Sequence, residues 1–327
     1  MKSIAGITVL VIIMCGTQAV SAQEKIGDSY TVSLSYQFGF IYGQAAEIVY
    51  PSNTKAEFLS ELLWDIKPVL YNGLLLELSP ARPAEKPGFF SGLSLKYGVP
   101  GNSGYMEDRD WMSKESSALT HFSSHDNEIR EMFLLDFSAG YSFPLARYLS
   151  LRPFINISYM CYRFSGSNGY GFYAKETSFG SGVYEPIDYS GPKYIFEGKV
   201  INYTQEWFHA APGFSLGLFF LTYFYSELSF QISPLIICID LDEHLRSNYQ
   251  YRDYLRGGVL LEPAFRLSCA FSPWAELSAA FSWRFITGSQ GETHVRSPIG
   301  TGTYIQQGIA GAGLSVMDTS LFLKIHL

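Results

Sequence analysis

Polar and apolar residues alternate with a period of two along much of this chain. In Leu135, Phe137, Ala139, Tyr141 and Phe143 the odd positions are apolar, with Asp136, Ser138, Gly140 and Ser142 between them. The same alternation runs through Leu149, Leu151, Ile155, Ile157 and Tyr159. It recurs in Ala275, Leu277, Ala279, Phe281, Trp283 and Phe285, interleaved with Glu276, Ser278, Ser282 and Arg284. Val32, Leu34, Tyr36, Phe38 and Phe40 show it near the start, and Leu321, Leu323, Ile325 and Leu327 carry it to the end. Such a pattern gives each strand one apolar and one polar face. A soluble sandwich would also alternate, but runs of about ten residues match a tilted membrane span. A chain ending on such a strand also suits an outer-membrane barrel, although a terminal Phe is more usual than Leu327. Segment 210–239 carries a single charge, Glu227, and could be read as two membrane helices. Pro212, Gly213 and Gly217 interrupt its first half, and its second half alternates. Neither half reaches the ~20 apolar residues a helix needs.

The pattern therefore predicts an all-β fold, a single-domain, ten-stranded antiparallel transmembrane β-barrel with long extracellular loops. Strands are expected near 30–47, 56–69, 73–99, 128–143, 148–166, 194–221, 224–242, 250–271, 275–288 and 305–327. Short periplasmic turns are expected at 68–73, 144–147, 222–223 and 272–273, and extracellular loops at 48–55, 100–127, 167–193, 241–250 and 289–304.

Composition adds an address. Lys2, the apolar stretch 7–14 and the small-residue pattern Val20-Ser21-Ala22 form a secretory signal, so 1–22 is read as a signal peptide and 23–327 as the barrel domain. The localisation that follows is a bacterial outer membrane. The whole chain has a formal net charge of −7, and loss of Lys2 makes it one unit more negative. Bulk electrostatics thus exclude nucleic acid as a partner. Cys161, Cys238 and Cys269 are odd in number and spaced for neither disulfides nor metal, and are read as apolar fillers of a greasy surface. Aromatic residues make up 16% of the chain, a load that lipid-facing belts of Tyr and Trp account for.

Candidate chemistry gathers where the expected strands run into loops. Asp108 and Asp110 sit at i and i+2, on one face of an extended chain. In Asp240-Leu241-Asp242-Glu243-His244, the residues Asp240, Asp242 and His244 share a face opposite Ile237, Ile239 and Leu241. Relative to Leu228, Phe230 and Ile232 the apolar parity has shifted by one, and Pro234 marks the bulge that would shift it. Two acidic faces would then point into one lumen at its outer rim. A His oriented by a carboxylate can act as general base, and two facing carboxylates can share a proton and hold a water. The plainer reading is a solvated acidic loop with an incidental His. With one His, the stretch lacks the ligands of a zinc site, and no metal is expected.

These residues resemble motifs of the omptin family of bacterial outer-membrane proteases. Asp108-Arg109-Asp110-Trp111-Met112 is similar to the family's Asp-x-Asp-Trp-Met, and Asp240-Leu241-Asp242-Glu243-His244 to its Asp-x-Asp-Glu-His. Gly43-Gln44-Ala45-Ala46-Glu47-Ile48-Val49-Tyr50 resembles a third segment, with Glu and Val-Tyr in the same places. The resemblance implies a ten-stranded barrel whose Asp pair, Asp108 and Asp110, faces an Asp–His pair, Asp242 and His244, across a groove. His244 would activate a water assisted by Asp108, with Asp242 orienting His244 and Asp110 supporting the water. Glu47 and Asp240 would form the pocket for a basic side chain, lined by Met106. The parity of Glu47, opposite to that of Val32 through Phe40, turns it toward the lumen. Ser123-Ser124-His125 echoes a family loop, but an acid four residues upstream of its His is His121 here, which does not support a second basic preference. The family also binds lipopolysaccharide, and Tyr159 and Arg163 match two of its ligands; Cys161 and Glu206 replace a Glu and an Arg of that set.

The expectation is an outer-membrane endopeptidase, of aspartic type with a water nucleophile, that cuts beside Arg or Lys at the extracellular rim. It would act as a monomer without a cofactor, on cationic peptides or host surface proteins, with outer-membrane lipids, lipopolysaccharide among them, as the other partners. The alternative is a non-enzymatic surface adhesin barrel with a relic groove. A pore is disfavoured, because side chains can fill a ten-stranded lumen.

Overall fold

The computed structural model describes residues 30–51, 54–81, 83–220, 223–298 and 303–327. The expected signal peptide and Thr222 of the expected 222–223 turn lie outside them. The strands in chain order are β1 Tyr30–Val49, β2 Ser60–Pro80, β3 Gly88–Gly98, β4 Gly101–Asp110, β5 His121–Ala146, β6 Leu149–Tyr173 and the short β7 Tyr194–Ile195. They continue as β8 Lys199–Phe220, β9 Phe224–Ser233, β10 Leu235–His244, β11 Tyr249–Arg256, β12 Val259–Ser272, β13 Ala275–Arg296 and β14 Thr303–His326. Pairs β3 and β4, β9 and β10, and β11 and β12 are each one interrupted strand. The result is a ring of ten antiparallel strands, closed where β14 pairs with β1. No described residue is helical, so 210–239 crosses as strands.

Alternation sorts the side chains as the sequence indicates. Phe38, Phe40, Leu74, Leu76, Phe137, Ile155, Phe214, Leu228, Phe265, Phe281 and Leu321 point outward in an apolar band, the surface a lipid bilayer requires. Inside the ring at that level, opposite charges are matched. Arg284 binds Glu262 at 2.6 Å and Asp136 at 3.2 Å. Lys324 and Arg266 bind Glu77 at 2.8 and 3.2 Å, Arg152 binds Glu227 at 2.8 Å, and Lys96 binds Asp318. Cross-linked side chains thus line the lumen at that level around a cavity of about 230 Å³.

Three expectations need correcting. Residues 68–73 do not turn: β2 runs straight through them, and the chain turns at 83–85. Pro68 sits at a bulge where Tyr42 of β1 opposes both Lys67 and Pro68, a place where its missing N–H breaks no ladder bond. Much of the expected loops at 100–127, 241–250 and 289–304 is strand, because β4, β5, β10, β11, β13 and β14 continue beyond the apolar band. Only 111–120, 174–193 and shorter connections stay irregular among the described residues. Finally, Cys238 faces the interior and is fully buried, not part of the greasy outer surface.

Candidate active site

The sheet that rises past the apolar band turns charged on its outer face. Glu61 and Arg109, Glu131 and Arg163, Glu206 and Arg252 stand there, which places the interior at that level outside the hydrocarbon. The floor of this upper interior is aromatic. Trp64 stacks on Tyr203 at 5.3 Å and lies 5.4 Å from Phe164, and Tyr162 stacks on Phe164 at 6.3 Å. This layer separates the ion-paired lumen below from a cavity of about 600 Å³ above.

Asp108, Asp110, Asp242, His244 and Glu47 all line that cavity. Alternation aims each of them. Glu47 is inward on β1 between Leu62 of β2 and Ala312 of β14, whose small side chain leaves space above it. Asp108 and Asp110 are inward on β4, and Ser60 Oγ donates to Asp108 Oδ1 at 3.4 Å. On β9 and β10 the inward sequence runs Gln231, Ser233, Ile236, Cys238, Asp240, Asp242. The three-residue step at Ser233–Ile236 is the parity change expected at Pro234. Ser233 Oγ caps it, accepting from the Leu235 amide at 2.9 Å. Beyond His244 the chain reverses at 245–248, where the Asn248 amide donates to the His244 carbonyl at 2.8 Å. Asn248 takes φ 57°, a left-handed value that Asn tolerates.

His244 Nε2 and Asp242 Oδ2 are 2.6 Å apart, and Tyr251 packs edge-on to the imidazole at 5.3 Å. Burial alone pulls His244 down. The hydrogen bond to Asp242 and the charges of Asp242, Asp108 and Asp110 outweigh it, so the net shift is upward. Burial raises Asp108 well above the carboxylate range, reinforced by Asp110. Burial also raises Asp110 and Asp242. The arrangement can therefore hold a proton on the Asp pair and take one on the His. These are the two capacities that water activation needs.

Two residues expected in the pocket sit elsewhere. Met106 is buried in the core one inward position below Asp108, away from the cavity wall. Asp240, 1% exposed, lies below Asp242 and behind the wall, where Tyr203 Oη donates to its Oδ2 at 3.1 Å. The acid on the wall at that level is Asp253 of β11, directly opposite Asp240. Burial raises Glu47 and Asp240 well above their ordinary range and lifts Asp253 to about 6.

Other residues fall outside the cavity. His121 stands beside Asp110 with its Nδ1 3.0 Å from Thr120 Oγ1. His125 is buried, 2.9 Å from Ser123 Oγ and held by the Asn168 carbonyl, so it is a satisfied interior histidine. On the outer face, Tyr159 donates to Glu206 at 2.6 Å and Arg163 binds Glu131 at 2.6 Å. Both candidate lipid ligands are already engaged by acids.

Comparison with known proteins agrees with this fold. A plasminogen activator of Yersinia pestis is 24% identical, covering 96% of each chain. The crystal structure of the outer membrane protease OmpT from Escherichia coli superposes with a TM-score of 0.79, at 17% identity, covering 91% of this chain and 97% of that one. The sequence model of the Omptin family matches residues 28–326, and the chain belongs to that family.

Proposed function

We propose that the protein is an outer-membrane endopeptidase that cuts peptide bonds beside a basic residue, using water activated between Asp108–Asp110 and Asp242–His244. The observation that carries this reading is the convergence of both pairs and Glu47 on one cavity. None of the described residues lining it is Lys or Arg. In this reading His244, oriented by Asp242, takes a proton from water. The oxygen attacks the scissile carbonyl, with Asp108 and Asp110 holding the water and the developing charge. The proton then passes to the departing amine nitrogen. Family membership and the relatives' names support proteolysis; the buried acids support the basic preference. The short-turn end, where both Tyr30 and Leu327 lie, faces the periplasm in this reading, so the cavity opens outside the cell.

The test is cleavage of a fluorogenic peptide containing a single Arg by the mature barrel refolded in detergent. General-base loss is worth about 10²–10⁴-fold. His244→Ala and Asp108→Ala are each expected to lower kcat by that order with the fold retained. Full activity in both variants would overturn the mechanism. No cleavage by the parent in any lipid would instead leave the surface-adhesin reading.

A further inference from the structure

Four buried carboxylate oxygens above the aromatic floor have no donor: Glu47 Oε2, Asp240 Oδ1, Asp242 Oδ1 and Asp253 Oδ1. Their residues are 4%, 1%, 2% and 4% exposed. Asp240 and Asp253 are cross-strand partners, and their carboxyls are within hydrogen-bonding reach once one of them carries a proton. An unpaired buried carboxylate costs several kcal/mol. Two such groups side by side avoid that cost by sharing a proton.

Resting on the endopeptidase reading above, we infer that Asp253 is a specificity-determining acid of the basic pocket, and that in the empty pocket it shares with Asp240 one proton that a bound arginine side chain expels. The exchange balances: the guanidinium brings one positive charge, and one proton leaves to solvent. Its planar fork of five donors can serve acceptors on β1, β10 and β11 together. It is also less costly to dehydrate than an ammonium. The pocket therefore prefers arginine to lysine.

The local build supports this placement. Gly257 and Gly258 take φ of 75° and 88°, and a Cβ on Gly258 would come within 2.3 Å of the Thr287 carbonyl oxygen. This break separates β11 from β12, and the hairpin at 245–248 sets the register that brings Asp253 opposite Asp240. The charged and titratable groups facing Asp253 are Cys238, Asp240 and Asp242 from β10, Glu47 from β1 and Tyr203 from β8. His294 of β13 acts on it from beside Glu292. None of the described lining residues is a Lys or Arg that could replace the proton.

The experiment titrates argininamide into the refolded mature barrel in buffers of different ionisation enthalpy, and follows cleavage of matched Arg and Lys peptides. At pH 5.5 the parent is expected to release close to one proton per argininamide bound. Asp253→Asn is expected to abolish the release and raise KM for the Arg peptide by about tenfold or more, the scale of a lost hydrogen bond to a charged group. It should leave kcat within about twofold, lower the Arg-over-Lys ratio and flatten the pH dependence of KM; a longer acid, Asp253→Glu, should recover part of the loss. Unchanged KM and Arg preference in Asp253→Asn, persistent proton release in it, or no argininamide binding by the parent would each overturn the pocket assignment. Argininamide binding with proton release but without cleavage by the parent would uphold the pocket and sink the endopeptidase reading instead.

Discussion

The barrel encloses two groups of buried carboxylates, one on each side of the Trp64–Tyr203–Phe164 layer. Below it, Glu77, Asp136, Glu227, Glu262 and Asp318 each meet a Lys or Arg. Above it, Glu47, Asp108, Asp110, Asp240, Asp242 and Asp253 meet no Lys or Arg among the described cavity-lining residues; His244 bonds Asp242, and His121 and His294 stand near Asp110 and Asp253. Both groups point into the barrel interior, so the difference is one of pairing rather than direction. A matched network holds ten strands in register and asks for nothing more. An unmatched one is complete only when a cation or a proton arrives. That contrast, more than acidity, marks the upper group as a site.

Mutation can break the contrast from either side. The largest expected effect is below the layer. Arg284→Met strands Glu262 and Asp136, and losing one partner of a buried pair costs about 3–5 kcal/mol. Urea unfolding of the refolded barrel should show that loss; an unchanged midpoint would mean the lower charges are not structural. Above the layer the sign reverses. Asp253 rises from 3.8 to about 6 on burial, so the folded state resists its ionisation and the penalty grows as pH climbs through that interval. Asp253→Asn should therefore stabilise the barrel at pH 8 by about 1–3 kcal/mol and by little at pH 4. A loss of stability at pH 8 would show that the acid is paired after all. The smallest effect concerns His244, whose value is raised by its acidic neighbours. As a base it must be unprotonated, so kcat/KM should fall on the acid side from a midpoint above the ordinary imidazole value of about 6.5. Removing one contributing charge in Asp110→Asn should move that limb downward, and a limb that stays in place would dissociate it from His244.

The two prolines show where sequence reading succeeds and fails. Pro234 stands at a parity change, so its bulge is legible as a break in rhythm. Pro68 stands where the inward series Leu62, Trp64, Ile66, Val69, Tyr71 slips by one, with Gly73 close behind. Pro and Gly five residues apart look like a turn, yet the ladder to β1 passes through. Site acids on long alternating strands were legible because parity fixes their direction. Asp253 was missed because it lies in an eight-residue strand bracketed by a turn and a glycine pair. A tight hairpin at 245–248 would have paired it with Asp240, but the segment read as loop. Whether an inward acid reaches a cavity wall or stops behind it, as Asp240 does, depends on packing that alternation does not encode.

The extension of the sheet above the apolar band has one more consequence. Glu47, Asp108, Asp110, Asp242, His244 and Asp253 are all on hydrogen-bonded strands rather than on connecting segments. Such a frame is already rigid, so docking orders little of the host molecule and leaves the conformational burden with the guest. Folded, compact polypeptides cannot thread a side chain between those walls, whereas extended or locally unravelled ones can. On the proposed endopeptidase reading, selectivity then has a mechanical component, in which frayed loops and unstructured tails are admitted ahead of well-packed surfaces of the same composition.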